Sequence, residues 1–160
     1  MNDFDFFVGE WDVANRRLLD SLDSDSGWEE FGGTNRCWSL FGGAANIDEM
    51  ECPERGFKGL TLRLFDQDTK EWSLNWSNSK VGRLDPPVQG RFREDGVGEF
   101  YGADTYEGRA VRVRFLWSNI TDRTARWEQA FSVDDERSWM TNWIMDFTRR
   151  GYPTYPAPVA

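Results

Sequence analysis

Hydrophobic and polar residues alternate along most of the chain, in runs separated by short stretches rich in Gly, Pro, Asp and Asn. In one run, Val111, Val113, Phe115 and Trp117 occupy alternate positions, with Arg112 and Arg114 between the first three. Alternation of this kind places every second side chain on the same face of a β-strand. The turn signals recur about every eight to twelve residues, which is typical of an all-β sandwich or barrel.

The alternating runs predict strands at about 10–19, 28–41, 44–51, 57–65, 71–77, 88–93, 97–103, 110–118, 125–133 and 139–148. Consecutive hairpins favour antiparallel strands in up-and-down order. Closing the sheet would also remove the exposed edges that a Trp-rich sheet could not leave free. We therefore predict an all-β fold, a single antiparallel up-and-down β-barrel of about eight to ten strands with a short N-terminal helical turn.

The faces of the strands follow from the same alternation. Leu60, Leu62 and Leu64 are expected inside the barrel, which places Thr61 and Arg63 outside. In the last strand, the run that includes Trp139, Thr141 and Trp143 is expected to point inward, whereas the choice between Phe100 and Tyr101 stays open. The predicted interior is mostly apolar and contains two amides: Trp11, Val13, Asn15, Trp72, Leu74, Trp76, Val113, Phe115, Trp117, Trp127, Gln129, Phe131, Trp143 and Met145.

The second strand has two possible orientations, because Gly32 and Gly33 predict a bend or bulge inside it. If Trp38 faces inward, Arg36 does too, and its guanidinium would suit a carboxylate or phenolate inside an aromatic cavity. If Asn35 faces inward instead, Arg36 is a surface cation.

Charge and cysteine content narrow the possible partners and the compartment. The formal net charge is −9, from 19 basic and 28 acidic residues, which disfavours nucleic acid and anionic membranes as partners. The N-terminus has no basic segment followed by an apolar run, so we predict no signal peptide and no membrane span. Cys37 and Cys52 are too few for a disulfide framework and predict reduced thiols in a cytoplasmic protein.

The chain contains no histidine. This excludes His-ligated haem, His-containing metal sites and catalysis by Ser-His-Asp or Cys-His groups. The acidic residues show no spacing typical of a calcium loop. The sequence therefore predicts neither a metal site nor a cofactor.

An aromatic segment at the N-terminus leads into a short motif. Phe4, Phe6 and Phe7 are followed by Gly9 and Trp11, with one residue between the last two. This Gly-x-Trp pattern resembles the opening of the lipocalin/calycin superfamily of ligand-binding β-barrels. From Phe4 to about Arg149 the strand order also resembles that of calycin-like bacterial barrels grouped as domains of unknown function. We therefore predict a barrel domain over 1–150 and an irregular, Pro-rich tail over 151–160.

The resemblance and the aromatic interior favour a protein that binds a small apolar or aromatic molecule. A barrel of this size can hold one small ligand. Buried amides need partners, and Asn15 or Gln129 could orient a polar atom of the ligand. The candidate ligand-binding residues are Asn15, Arg36, Trp38, Trp76, Phe115, Trp117, Trp127, Gln129 and Trp143.

Two other functions stay open. A cofactor-free isomerase, cyclase or lyase would be favoured if Arg63, Arg114 and Glu128 faced inward as an acid–base group. If they face outward, Arg114 and Glu128 are expected to form an ordinary exterior pair. Phenolic acid decarboxylases are lyases built on similar barrels, but their residue motifs are not found here, and no catalytic residue is assigned. A module that forms a homodimer through exposed aromatic residues is the remaining possibility.

Overall fold

Ten antiparallel strands close into one up-and-down barrel in the computed structural model, which describes residues 1–152. Each strand pairs with its neighbours in the chain, and the last pairs with the first. The strands are β1 (Gly9–Leu18), β2 (Trp28–Leu40), β3 (Ala45–Cys52), β4 (Phe57–Phe65), β5 (Trp72–Asn78), β6 (Val88–Phe92), β7 (Gly98–Tyr106), β8 (Arg109–Ser118), β9 (Thr124–Ser132) and β10 (Met140–Gly151).

This architecture confirms the predicted all-β fold, a single antiparallel up-and-down barrel. The helical structure within residues 1–152 consists of three short 3-10 turns, at Asp5–Phe7, Phe41–Gly43 and Pro53–Arg55. None of the helices in this range is long and apolar enough to cross a membrane. The predicted tail begins at the end of β10, and its residues 153–160 lie outside the described part of the chain.

The N-terminal aromatic segment closes one end of the barrel. Phe4 and Phe7 are almost fully buried, at 1% and 0% exposure. Phe4 packs edge-on against Trp72 with 5.0 Å between ring centroids, and Phe7 against Trp117 at 4.8 Å. Edge-to-face packing of this kind is favourable beyond the burial of area alone. The segment is called the plug below.

Trp11 and Arg149 hold the plug on the barrel. The indole N–H of Trp11 donates to the carbonyl of Phe7 at 2.8 Å. The Arg149 guanidinium lies 4.2 Å from the centre of the Trp11 ring and donates to the carbonyls of Phe6 and Val8. Gly9 has φ +128°, and a Cβ there would lie 2.5 Å from Arg149 Nη1. The Gly-x-Trp motif thus combines a backbone conformation that suits glycine with a close approach of the last strand.

The predicted face of β4 is wrong. Thr61 and Arg63 are buried, at 9% and 3% exposure, whereas Leu60 and Leu64 are 38% and 37% exposed. Thr61 stands opposite the inward-facing Trp76 of β5, and directly opposite residues of an antiparallel pair share a face. The leucines therefore cover the outside of the barrel, and a homodimer formed through exposed apolar residues stays a prediction.

A register shift corrects the predicted face of β10. The pairing with β9 shifts between Thr141 and Trp143, so Asn142 is an extra residue and is fully buried. Trp143 points inward as predicted, but Trp139 lies outside against Tyr101, with 5.9 Å between ring centroids. Phe100 is the buried member of the undecided pair, at 0% exposure. A one-residue bulge changes which side chains face the interior, and alternation alone cannot reveal it.

The turn between β9 and β10 contains Asp134, whose contribution to folding stability should depend on pH. Hydrogen bonds from the hydroxyl and N–H of Ser138 and from the Ser132 hydroxyl hold the pKa of Asp134 at about 2, below its usual 3.8. Because the folded pKa is lower, the stabilisation is present above the unfolded pKa and is lost as pH falls through the folded pKa.

We expect Asp134→Asn to lower the urea midpoint at neutral pH. The difference from the unmodified protein should shrink as the pH falls from about 4 to about 2. Asp68→Asn, in the exposed turn between β4 and β5, is the control. A difference that stayed constant over this pH range would contradict the expectation.

Candidate ligand-binding site

A cavity of about 400 Å³ lies inside the barrel above the plug. This volume falls within the range of about 300–1,000 Å³ typical of small-molecule pockets. Its wall is mainly aromatic and includes Trp76, Phe115, Trp117, Trp127, Phe131 and Trp143.

The aromatic wall is held by contacts among its own rings. Trp127 packs edge-on against Trp143 and Phe115, with centroid distances of 5.5 and 4.9 Å. Trp76 meets Trp143 at 6.3 Å and lies over Gly59 of β4, where a Cβ would overlap its indole. Glycine at this position therefore lets the ring lie close to the strand. Each of these rings is therefore in contact with at least one other ring of the wall.

A buried ion pair lies near the plug at the bottom of the cavity. Arg63 Nη1 is 2.6 Å from Asp48 Oδ2, and the two side chains are 4% and 2% exposed. Arg63 Nη1 also donates to Asn46 Oδ1 at 3.1 Å. The Arg63 guanidinium carbon lies 5.1 Å from the ring centres of both Phe4 and Phe7. Asn46 and Asp48 of β3 and Arg63 of β4 thus form a polar floor to the cavity, next to the aromatic plug.

Electrostatics at this floor depend on Asp48. Burial raises the pKa of Asp48, although the Arg63 charge and hydrogen bonds from Arg63 and Asn35 act in the opposite direction. Burial disfavours the ionised carboxyl, and the neighbouring guanidinium compensates only partly. Asp48 is therefore a carboxyl that takes up a proton more readily than a surface aspartate.

A second group of charges lies on the cavity wall at the end of β1. Glu29 accepts hydrogen bonds from Arg17 Nε and Nη2, at 2.9 and 2.8 Å, and from Arg55 Nε at 3.1 Å. Arg17 lines the cavity, with its guanidinium carbon 4.9 Å from the centre of a Trp143 ring. Partial burial acts to raise the pKa of Glu29, but hydrogen bonds and charges from the two arginines lower it overall.

The mouth lies at the end opposite the plug, where the loop between β1 and β2 contacts the wall. Gln129 Nε2 donates to Asn142 Oδ1 at 2.9 Å, and Asn142 Nδ2 donates to the carbonyl of Ser21 at 3.3 Å. The Ser21 N–H donates to the Tyr106 hydroxyl at 3.2 Å. These bonds tie the loop to β7, β9 and β10.

The rim of the mouth is acidic. Asp85 and Asp104 both line the cavity, and burial together with the charge of Asp104 raises the pKa of Asp85. Over residues 1–152, no three Cys, Asp or Glu side chains come together in an arrangement that could hold a metal ion.

Six of the residues predicted from the sequence line the cavity together: Trp76, Phe115, Trp117, Trp127, Gln129 and Trp143. Asn15 lies behind this wall at 2% exposure, and its Oδ1 accepts the indole N–H of Trp143 at 3.0 Å. The amide of Asn15 therefore orients a wall residue.

Arg36 and Trp38 lie outside the barrel, so β2 adopts the second of its two open orientations, and these two candidate ligand-binding residues do not reach the cavity. The Arg36 side chain is 51% exposed, pairs with Glu49 at 2.8 Å and lies 5.3 Å from the Trp38 ring centre. Asn35 and Cys37 are the buried residues of this part of β2. The pairing with β1 continues through Gly32 and Gly33 without a shift, so the alternation of faces is not interrupted.

The three charged residues that formed the alternative acid–base set, Arg63, Arg114 and Glu128, are divided between the two faces. Arg63 is inside, whereas Arg114 and Glu128 are on the outer face. Arg114 stands opposite Ala130 and Glu128 opposite Leu116, so the expected exterior pair is out of register. Arg114 instead lies 4.9 Å from the centre of a Trp139 ring.

The polar floor was not recognised in the sequence. Every second residue of β3 is buried, and this face contains Asn46, Asp48, Met50 and Cys52. This pattern in β3 was a usable signal for inward-facing polar residues, because an apolar alternating run fixes the face of its polar members. Arg63 becomes identifiable only when Asp48 is known to be its neighbour.

The fold is similar to that of the S-type phycobiliprotein lyase CPES from Guillardia theta, with a TM-score of 0.59 at 13% sequence identity. The matched region covers 94% of this chain and 92% of the lyase chain. No protein-family model and no curated protein matches the sequence. At this level of identity the similarity shows the barrel fold, and the function has to be argued from the residues.

Proposed function

We propose that the protein binds one small, mostly apolar and aromatic molecule inside the barrel. The observation that carries the proposal is the cavity of about 400 Å³ with an aromatic wall and a polar floor. Pockets that bind small molecules are mostly apolar and contain a few polar groups that fix the orientation of the ligand.

The closed barrel supports a preformed site. The plug fills one end, so a ligand would enter at the mouth beside Tyr106 and Ser21. The wall indoles of Trp127 and Trp143 are fixed by ring contacts, and little conformational entropy would be lost on binding. Planar molecules fit best, because rings of the ligand can pack against the rings of the wall.

A larger side chain inside the cavity should weaken ligand binding. We expect Val113→Phe, on the inner face of β8, to weaken ligand binding about tenfold or more because the added ring occupies the cavity. Leu116→Phe, on the outer face of the same strand, is the matched control and should bind normally. Both are measured by quenching of tryptophan fluorescence with planar aromatic compounds and fatty acids. Equal binding by the two variants, or no response by the unmodified protein, would contradict the proposal.

A second candidate function is a cofactor-free isomerase, cyclase or lyase. The observation in its favour is Asp48, whose pKa is raised by burial and which lines the cavity beside Arg63. A carboxyl of this kind can hold or transfer a proton close to a bound molecule. For an enzyme, Asp48→Asn would bind the molecule found by titration but convert it about a hundredfold more slowly. Absence of any product with the unmodified protein would exclude this candidate for that molecule.

A further inference from the structure

Three buried polar atoms at the bottom of the cavity have neither a hydrogen-bond partner nor an ion-pair contact within residues 1–152, whereas Asp48 Oδ2, which also has no hydrogen bond there, is in the ion pair with Arg63. They are Arg63 Nε, Trp117 Nε1 and Asn35 Oδ1. Their residues are 3%, 2% and 4% exposed, and all three line the cavity. Buried polar groups are almost always paired, so three unpaired ones in one cavity need an explanation.

The three atoms belong to one cluster. Asn35 is close enough to the Asp48 carboxyl to act on its pKa, and Asp48 Oδ2 lies 2.6 Å from Arg63 Nη1. The guanidinium carbon of Arg63 is in turn 5.6 Å from the centre of a Trp117 ring. The three residues therefore lie close together in the lining of one cavity.

The hydrogen-bonding character of these three atoms indicates which chemical group of a ligand would pair with them. The guanidinium and the indole are donors, whereas the amide oxygen of Asn35 is an acceptor. The atom of the Asn35 amide that lacks a partner is its oxygen, Oδ1. The matching group has an oxygen that accepts hydrogen bonds and, next to it, an N–H or O–H that donates one.

Charge selects among such groups. The Arg63 cation is already balanced by Asp48, and both are almost fully buried. An anionic head group would leave an excess buried negative charge, which is costly away from water. A neutral head group avoids this cost.

We propose that the ligand ends in a neutral carboxamide-like group, which lies on the polar floor and pairs with Arg63, Trp117 and Asn35. This inference rests on the proposed function, because it requires a ligand in the cavity. It adds the chemical class of the group that the floor recognises.

The test uses four naphthalenes of nearly equal shape, measured by isothermal titration. 2-Naphthamide carries the acceptor and the donor, 2-acetylnaphthalene only the acceptor, 2-naphthoate an anion and 2-isopropylnaphthalene neither. At about neutral pH we expect the amide to bind about tenfold more tightly than the carboxylate and more tightly than the ketone. Tighter binding of the carboxylate than of the amide would overturn the inference.

Two variants then isolate the indole donor. We expect Trp117→Phe to weaken the amide and the ketone about tenfold, while the isopropyl compound changes by less than about threefold. Trp143→Phe is the matched control, because its indole N–H is already used by Asn15. It should affect all four compounds alike.

The outcomes separate the two proposals. If Trp117→Phe weakens the binding of all four compounds equally, the cavity binds ligands but the polar residues do not distinguish their head groups. That result would overturn the inference. If none of the compounds binds to the unmodified protein, the proposed function fails together with the inference. The ranking of the four compounds by the unmodified protein decides the inference even if Trp117→Phe does not fold.

Discussion

Trp11→Ala is expected to lower the free energy of unfolding by about 3–5 kcal/mol, the usual cost of removing a large buried side chain. Trp11 is fully buried, and its indole N–H holds the carbonyl of Phe7. Its ring also supports the guanidinium of Arg149, which is bound to the backbone of the plug. The substitution therefore removes core volume and loosens the closed end of the barrel at the same time.

Urea unfolding followed by circular dichroism measures this cost. Trp28→Ala is the matched control, because Trp28 lies at the edge of the barrel and is 38% exposed. We expect that control to cost less than about 1.5 kcal/mol, as is usual for surface substitutions. A cost below about 1 kcal/mol for Trp11→Ala would mean that the Gly-x-Trp motif does not anchor the core.

The closed barrel could be predicted because its evidence is local. Strand alternation and turn residues are visible within about ten residues, and consecutive hairpins fix the order of the strands. The Gly9–Trp11 motif likewise needs only three positions. The contact of Arg149 with Trp11 joins opposite ends of the chain, and no local pattern reveals it.

The faces of the strands were harder to predict than the strands themselves. Alternation divides a strand into two faces, and the choice between them assumes that the more apolar face is buried. That assumption fails in β4, where Arg63 is buried beside Asp48 and Leu60 is exposed. An ion pair between neighbouring strands makes a polar face stable inside, and this depends on contacts that the sequence of one strand does not contain.

The same limit explains which parts of the candidate site could be predicted from the sequence. The aromatic wall was predicted because large rings at alternating positions indicate an interior. The polar residues could not be predicted in the same way. The sequence allows two orientations of β2, only one of which turns Asn35 inward, and the apolar face of β4 predicts that Arg63 points outward. The residues that would recognise a ligand are thus the ones that break the apolar pattern, as expected where function and packing compete.

The largest effect after Trp11 is expected at the buried ion pair. We expect Arg63→Met to lower the free energy of unfolding by about 3–5 kcal/mol, because it leaves Asp48 buried without its counter-charge. Asn46 also loses the donor that its Oδ1 accepts from. Arg36→Met, which removes an exposed arginine paired with Glu49, is the matched control and should cost less than about 1 kcal/mol.

Replacing the whole polar group should reverse most of this loss. Asn46→Val/Asp48→Val/Arg63→Met removes both charges and the Asn46 amide that Arg63 donates to, and apolar replacements of buried ion pairs are often neutral or stabilising. We expect stability within about 2 kcal/mol of the unmodified protein, measured by the same urea unfolding. A triple variant no more stable than Arg63→Met would show that the group is required for folding. Recovery of stability together with loss of the preference for 2-naphthamide would instead mean that the chain keeps a charged pair in its core for the ligand it binds.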